Sequence, residues 1–173
     1  RYHPKVDISL LHRHISKEYA AVYGNAFTEN ILPSNENGLY AGISIRPVTS
    51  VRINAYADFS RFPWLKFRTD APSTGKDFLA QLTYEPDKVV AIYTRYRYES
   101  KQINETGAGL ATGYIIAKPR QNWRMHFSYA ITSEITIRSR ADMVWYDRKG
   151  KGAEDGFLIF AEVHYKPKPN ISG

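Results

Sequence analysis

A chain of 173 residues is long enough for one domain with a sizeable buried surface. It has no cysteine, which excludes disulfides and thiolate metal sites, and no window approaches the ~20 apolar residues of a helical membrane span. The net charge of +7 is compatible with a nucleic-acid or phospholipid partner, but it does not require one. A membrane protein built from strands is not excluded, because each of its strands faces lipid on one side only.

An internal repeat organises the chain. Each copy has an aromatic or apolar residue, a spacer, usually a proline, three mostly polar residues and then Ile or Val, and the copies cover 2–8, 45–51, 84–90, 129–135 and 165–171. Proline cannot donate to a strand ladder, so it stands where pairing stops. We therefore predict tight turns near 4, 47, 86, 131 and 167, within a single domain spanning 1–173. The first and last positions of each copy are six apart, which favours one shared face.

Strands are predicted between these turns. The first, roughly 8–23, alternates poorly. The segments that follow alternate apolar and polar residues with a period of two, and in chain order they cover 39–46, 51–59, 78–85, 90–99, 123–129, 135–145 and 157–165. The fold class predicted is all-β: an antiparallel up-and-down meander of about eight strands.

The other connections are long and polar. They cover 24–37, 61–76, about 100–121 and 147–155, and we assign 112–117 to loop rather than to a further strand. Short turns at one end and long loops at the other are typical of outer-membrane barrels. We therefore expect a transmembrane β-barrel or part of one. Because the chain starts at Arg1 with no signal pattern and has tight turns near both ends, we expect a processed or truncated piece that neighbouring strands extend.

The two strand faces differ in chemistry. The polar face carries the residues predicted to face the lumen, which are Arg46, Arg52, Asp58, Arg95, Arg97, Arg124, Arg138, Arg140, Asp142 and Glu162. The apolar face carries aromatics at both ends, as a bilayer interface selects: Tyr84, Tyr129 and Tyr165 near tight turns, and Tyr98 and Trp145 near long loops. The alternative is a soluble sandwich or barrel with these aromatics inside. Its core would be thin, because alanines interrupt the apolar face.

Neither a metal site nor catalysis is predicted. His12 and His14 share a strand face, but no third ligand stands at a supporting spacing. His126, Ser128 and Asp142 contain the residue types of a hydrolase triad, yet they are simply polar positions of neighbouring strands. No phosphate loop or nucleotide fingerprint occurs, so we expect no enzyme and no cofactor.

The arginines and one loop are the binding candidates. Arginine suits phosphate and carboxylate groups, so the polar face predicts either selectivity for anions, a hold on a plug, or an internal salt-bridge network. The loop 62–72 mixes aromatic and basic residues and is predicted to fold into the lumen or bind a partner outside, through Trp64, Lys66, Phe67 and Arg68. The same mixture suits single-stranded nucleic acid.

Several segments resemble a known family. The run 61–73 (RFPWLKFRTDAPS), supported by 23–27, 95–98 and 156–158, is similar to the C-terminal barrel region of a largely uncharacterised group of bacterial outer-membrane proteins. Members often carry a helix-hairpin-helix segment before the barrel, similar to competence-type DNA-binding proteins. The resemblance covers nearly the whole chain and implies further strands at both ends. It implies no catalytic residues, and the helix-hairpin-helix segment itself is absent from these residues.

Three hypotheses follow. The first is a non-enzymatic channel, transport component or scaffold in the bacterial outer membrane, with membrane lipid and further barrel strands or a partner protein as its partners. The second is a soluble β-rich binding module for anionic ligands or nucleic acid, whose binding would be sensitive to salt. The third, an outer-membrane hydrolase, requires Ser128 and His126 within hydrogen-bond reach.

Overall fold

The computed structural model describes residues 5–19, 27–29, 34–105, 114–147 and 152–166. These residues form eight strands and no helix, so none of them belongs to a helix long and apolar enough to cross a membrane. The strands are β1 (Val6–Ile15), β2 (Glu36–Ile45), β3 (Val51–Phe62), β4 (Ser73–Tyr84), β5 (Val90–Asn104), β6 (Ile115–Ala130), β7 (Ile135–Tyr146) and β8 (Glu154–Tyr165).

All eight strands lie in one sheet in the order of the sequence, and every neighbouring pair is antiparallel. The predicted all-β meander of about eight strands is therefore confirmed. β1 and β8 are the two edges, and no ladder joins them within the described residues. The strands are 10 to 16 residues long, well above the ~5–6 residues that are commonest in globular proteins.

Three predicted tight turns are confirmed, since residues 46–50, 85–89 and 131–134 each connect two paired strands. The turns predicted near 4 and 167 lie outside the described residues. The shared face expected at the two ends of a repeat is also found: Ile45 pairs directly with Ile53 and Val51 with Tyr84, on one side of the sheet.

Side chains close two of these turns. Asp87 Oδ1 accepts hydrogen bonds from the backbone N–H groups of Val89 and Val90 at 2.8 and 2.9 Å. Thr132 Oγ1 accepts from Glu134 and Ile135 in the copy of the repeat that lacks proline. Both are local bonds in which a short polar side chain satisfies the turn's free N–H groups.

The loop predicted over about 100–121 is wrong in most of its length. β5 continues to Asn104 and β6 begins at Ile115, so Ile115–Ala117 belongs to a strand and not to a loop. The prediction failed because Ser100, Gln102 and Asn104 occupy the same face as the apolar residues at 90–98, earlier in β5. Backbone pairing continues past the point where the apolar pattern ends. The rest of the predicted loop, 106–113, lies outside the described residues, and this includes 112 and 113 of the segment 112–117.

Other boundaries also need correction. β2 begins at Glu36 and β8 at Glu154, inside the loops predicted over 24–37 and 147–155. The loop predicted over 61–76 is limited to 63–72, because β3 and β4 pair as far as Phe62 and Ser73. β1 ends at Ile15 rather than near 23. Directly after it, the Ser16 carbonyl accepts hydrogen bonds from the N–H groups of Tyr19 and Asn35 at 3.3 and 3.0 Å. These bonds turn the chain out of β1 and close the approach to β2.

Burial is inverted relative to a water-soluble sheet. Among the described residues, the only buried hydrophobic side chain is Phe62. The buried polar and charged residues there are Arg13, Asn35, Glu36, Ser60, Thr69, Ser73, Asp77 and Asp142. The described chain therefore has no apolar core between two layers, and its protected side is the polar one.

Candidate functional site on the polar face

Strand register divides the sheet into two faces, because residues directly opposite each other in an antiparallel pair project to the same side. Asp58 stands opposite Tyr40 and Asp77, and Arg95 stands opposite Gln81 and Arg124. The same face holds, within strands, the predicted residues Arg52, Asp58, Arg95, Arg97, Arg124, Arg138, Arg140, Asp142 and Glu162. Arg46 lies in the turn after β2 and is exposed.

The most deeply buried ion cluster is centred on Arg13 of β1. Its guanidinium donates to Glu36 Oε1 at 2.9 Å and to both Asp58 oxygens at 2.9 and 2.8 Å. Its side chain is 5% exposed and that of Glu36 is fully buried. Gly38 makes room for it, since a Cβ there would lie 2.6 Å from Arg13 Cζ. The aromatic ring of Phe27, from the long loop before β2, covers the guanidinium at 5.1 Å.

A second cluster joins three strands through Asp77. Arg97 donates to both Asp77 oxygens at 3.0 and 2.6 Å, which is the bidentate geometry that guanidinium groups favour. The hydroxyl of Tyr56 donates to the same carboxylate at 3.1 Å. A single buried acid on β4 thus holds an arginine from β5 and a tyrosine from β3.

A third cluster surrounds Asp142 of β7. Arg124 donates to Asp142 Oδ1 at 2.6 Å, and Arg140 donates to Oδ2 at 2.7 Å. Arg138 and Glu162 form a looser pair at 3.6 Å with both side chains substantially exposed. The salt-bridge network predicted as one alternative for this face is therefore present for most of its arginines.

Besides Arg52, which is exposed beside the 46–50 turn, two arginines of this face stand apart from that network. Within the described residues neither Arg95 nor Arg120 makes an ion pair, and the buried Nε of Arg95 has no hydrogen-bond partner. Arg95 stands directly opposite Arg124, while Arg120 stands opposite Glu99, whose carboxylate binds Lys101 at 2.7 Å. Both arginines keep donor groups that no described side chain uses.

The loop 63–72 is fixed at its base and exposed at its tip. Asn35, with a positive φ of 55°, accepts from the Trp64 N–H at 2.9 Å and donates to the Trp64 carbonyl at 2.8 Å. The Arg68 carbonyl accepts from the Asn104 N–H at 3.0 Å. Phe67 is 87% exposed and Trp64 is 55% exposed, so the aromatic contact candidates are presented outward.

Lys66 differs from the other candidates of this loop. Its Nζ lies 3.4 Å from the centroid of the buried Phe62 ring, a close cation–π contact. Burial lowers the pKa of Lys66 from its ordinary value, and the nearby cation of Lys101 acts in the same direction. Lys66 therefore packs inside the base of the loop, whereas Arg68 lies 5.2 Å from the exposed Phe67 ring.

The opposite face is apolar and open. Leu82, Met125 and Ile43 lie on this face within the paired strands and are 44%, 43% and 37% exposed. All five predicted interface aromatics project from this face: Tyr84, Tyr129 and Tyr165 at the tight-turn end, and Tyr98 and Trp145 towards the long loops. Beyond the second group the face becomes polar, with Gln102 and Asn104 among its residues.

The candidate catalytic and metal-binding residues do not form a site, because each has other partners or lies on another face. Asp142 is bound to Arg124 and Arg140, and His126 stacks on Tyr93 at 5.1 Å. No hydrogen bond between His126 and Ser128 occurs among the described contacts, which the hydrolase hypothesis requires. His12 and His14 project from the otherwise apolar face, and no group of three metal-ligating side chains occurs in the described part of the chain.

Sequence reasoning missed five residues that matter at this site: Arg13, Glu36, Asp77, Lys101 and Arg120. Arg13 is an alternate residue of β1 from Asp7 and Ser9 and so shares their polar face, but Leu11 interrupts the polar pattern between them. Glu36, Lys101 and Arg120 fell inside segments assigned to loops. Extending the period of two by three residues at the strand ends would have reached Glu36, Asp77, Lys101 and Arg120.

Comparison with known proteins returns nothing: no family model, no curated protein and no solved structure matches this chain.

Proposed function

We propose that this chain is part of the wall of a bacterial outer-membrane β-barrel, acting without enzymatic chemistry as a channel, transport component or scaffold. In this proposal the apolar face contacts lipid and the Arg-rich face lines the aqueous interior. The family resemblance of the sequence agrees with the same assignment.

The observation that carries the proposal is the inverted burial. Asp77, Ser60 and Asp142 on the polar face are 7–8% exposed, while Leu82 and Met125 on the other face are 44% and 43% exposed. In water such an apolar surface is costly, at roughly 25 cal/mol per Å². Contact with hydrocarbon removes that cost. The charged face then lines the aqueous interior, where water and ion pairs stabilise its charges.

The dimensions of the apolar face support the same proposal. On β3 it runs from Val51 to Phe59, which is close to the ~9–11 residues that a tilted strand needs to cross a bilayer. Aromatic rings stand at both of its ends, as expected at membrane–water interfaces. The edges β1 and β8 also suit the proposal, because β8 is exposed along its whole length and further strands would satisfy both edges.

Refolding into vesicles tests the proposal. The full-length protein, diluted from urea into phosphatidylcholine vesicles, is expected to float with the lipid on a density gradient and to stay there after washes in high salt and at alkaline pH. Zwitterionic lipid and salt control for adsorption through the net charge of +7. A protein that folds without lipid or detergent and sediments away from the vesicles would contradict the proposal and favour the soluble anion-binding module.

A further inference from the structure

The polar face contains a small pocket between β4, β5 and β6. It has a volume of about 240 Å³, and its charged and polar lining consists of Arg95, Arg97, Arg120, Arg124, Glu99 and Asn122. Four arginines thus surround a space large enough for a small oxyanion. Such a concentration of guanidinium groups around a cavity is unfavourable unless carboxylates or a bound anion neutralise them.

The carboxylates present neutralise only part of this charge. Arg97 is bound to Asp77 and Arg124 to Asp142, while Glu99 is turned to Lys101. The pocket arginines and the charged groups paired with them comprise six cations and four carboxylates, a balance of +2: Arg95, Arg97, Arg120, Arg124, Arg140 and Lys101 against Glu29, Asp77, Glu99 and Asp142. The excess corresponds to Arg95 and Arg120.

The unused donors belong to these same two arginines. The Nε of Arg95 is buried and has no partner among the described residues, which is unfavourable for any donor and more so for a charged one. Arg95 also stands directly opposite Arg124 across the β5–β6 ladder, where like charges destabilise the sheet. An anion between the two strands would satisfy the donor and reduce the repulsion.

We infer that this pocket binds a phosphate group, as inorganic phosphate or as a small phosphomonoester. A phosphate of this kind carries about −1.5 to −2 charges near neutral pH, which matches the excess of +2, and its oxygens match the guanidinium fork. A phosphodiester carries only one charge for each phosphate, so a single phosphate of a nucleic-acid backbone matches the excess charge of this pocket less well. The site belongs to the polar face and needs no bilayer.

Calorimetric titration with inorganic phosphate tests the site, in the medium in which the full-length protein folds. We expect millimolar or tighter binding that weakens at least roughly 100-fold in the Arg95→Gln/Arg120→Gln double variant, since two charged hydrogen-bond donors are lost. The matched control is Arg138→Gln, which removes an exposed arginine of the same face outside the pocket and should bind phosphate as the wild type does. If the double variant does not fold, Arg120→Gln alone carries the test, with a loss of about 10-fold.

Ligand comparison distinguishes the chemistry and the source. Glycerol phosphate binding as tightly as inorganic phosphate would assign the site to phosphomonoesters, and markedly weaker binding would assign it to free phosphate; either result supports the inference. Acetate binding equally well, a short oligonucleotide binding far more tightly, or phosphate affinity unchanged in the double variant would overturn it. Failure of vesicle insertion would leave these results unaffected, so the site and the membrane proposal fail separately.

Discussion

Arg13→Leu is expected to lower the free energy of unfolding by about 3–5 kcal/mol, because it leaves two carboxylates without their counter-ion. Glu36 is fully buried and, among the described residues, would keep only the hydrogen bond from the Glu29 N–H at 3.0 Å, while Asp58 would lose both of its bonds from Arg13. Urea unfolding followed by circular dichroism, in the medium in which the protein folds, measures the change.

Arg138→Leu is the matched control for that variant. Its partner Glu162 is half exposed and the ion pair is 3.6 Å long, so the expected loss is within about 1 kcal/mol. Adding Glu36→Gln to Arg13→Leu should restore part of the stability, because the uncompensated buried charge is removed. Equal losses for Arg13→Leu and Arg138→Leu would contradict the importance of the buried cluster.

Ala80→Arg is expected to cost about 2–4 kcal/mol if the apolar face contacts hydrocarbon, the range for a cation near the middle of a membrane strand. Ala80 is exposed and lies on the apolar face of β4 between Phe78 and Leu82. In water, a substitution at such an exposed position changes stability by no more than about 0.5 kcal/mol. The two environments therefore give clearly different results from one variant.

Asn54→Arg is the control on the other face at the same level of the sheet, since Asn54 precedes Ala55, which pairs directly with Ala80. Its new side chain would project from the polar face, which the proposal places in water, and we expect a change below about 1 kcal/mol. Unfolding titrations in vesicles measure both variants. Similar small effects of both substitutions would contradict lipid contact at Ala80.

The strands and their faces could be predicted because one local rule determines both. A period of two in apolar residues fixes which side chains share a side, and the repeated turns fix where strands reverse, as at 46–50 and 131–134. Strand ends were predicted poorly for a physical reason. Beyond the apolar band, as at Gln102 and Asn104, backbone pairing continues without any hydrophobic pattern to mark it.

The site was predicted only in outline. Parity placed Arg95, Arg97 and Arg124 on one face, but no sequence pattern shows which arginine finds a carboxylate. That depends on the register between strands, which sets Arg124 opposite Asp142 and leaves Arg95 opposite another arginine. The partners of Arg13 are separated from it by 23 and 45 positions, and only the folded sheet brings them together.

Spin-label accessibility along β3 tests the central claim most directly, because the chain has no cysteine to remove first. Single cysteines at Ile53, Ala55 and Ala57 would report one face, and cysteines at Asn54 and Tyr56 would report the other. We predict that the first set collides mainly with oxygen dissolved in lipid and the second mainly with a water-soluble nickel reagent, alternating at every residue. Equal access of the nickel reagent to both sets would contradict the account.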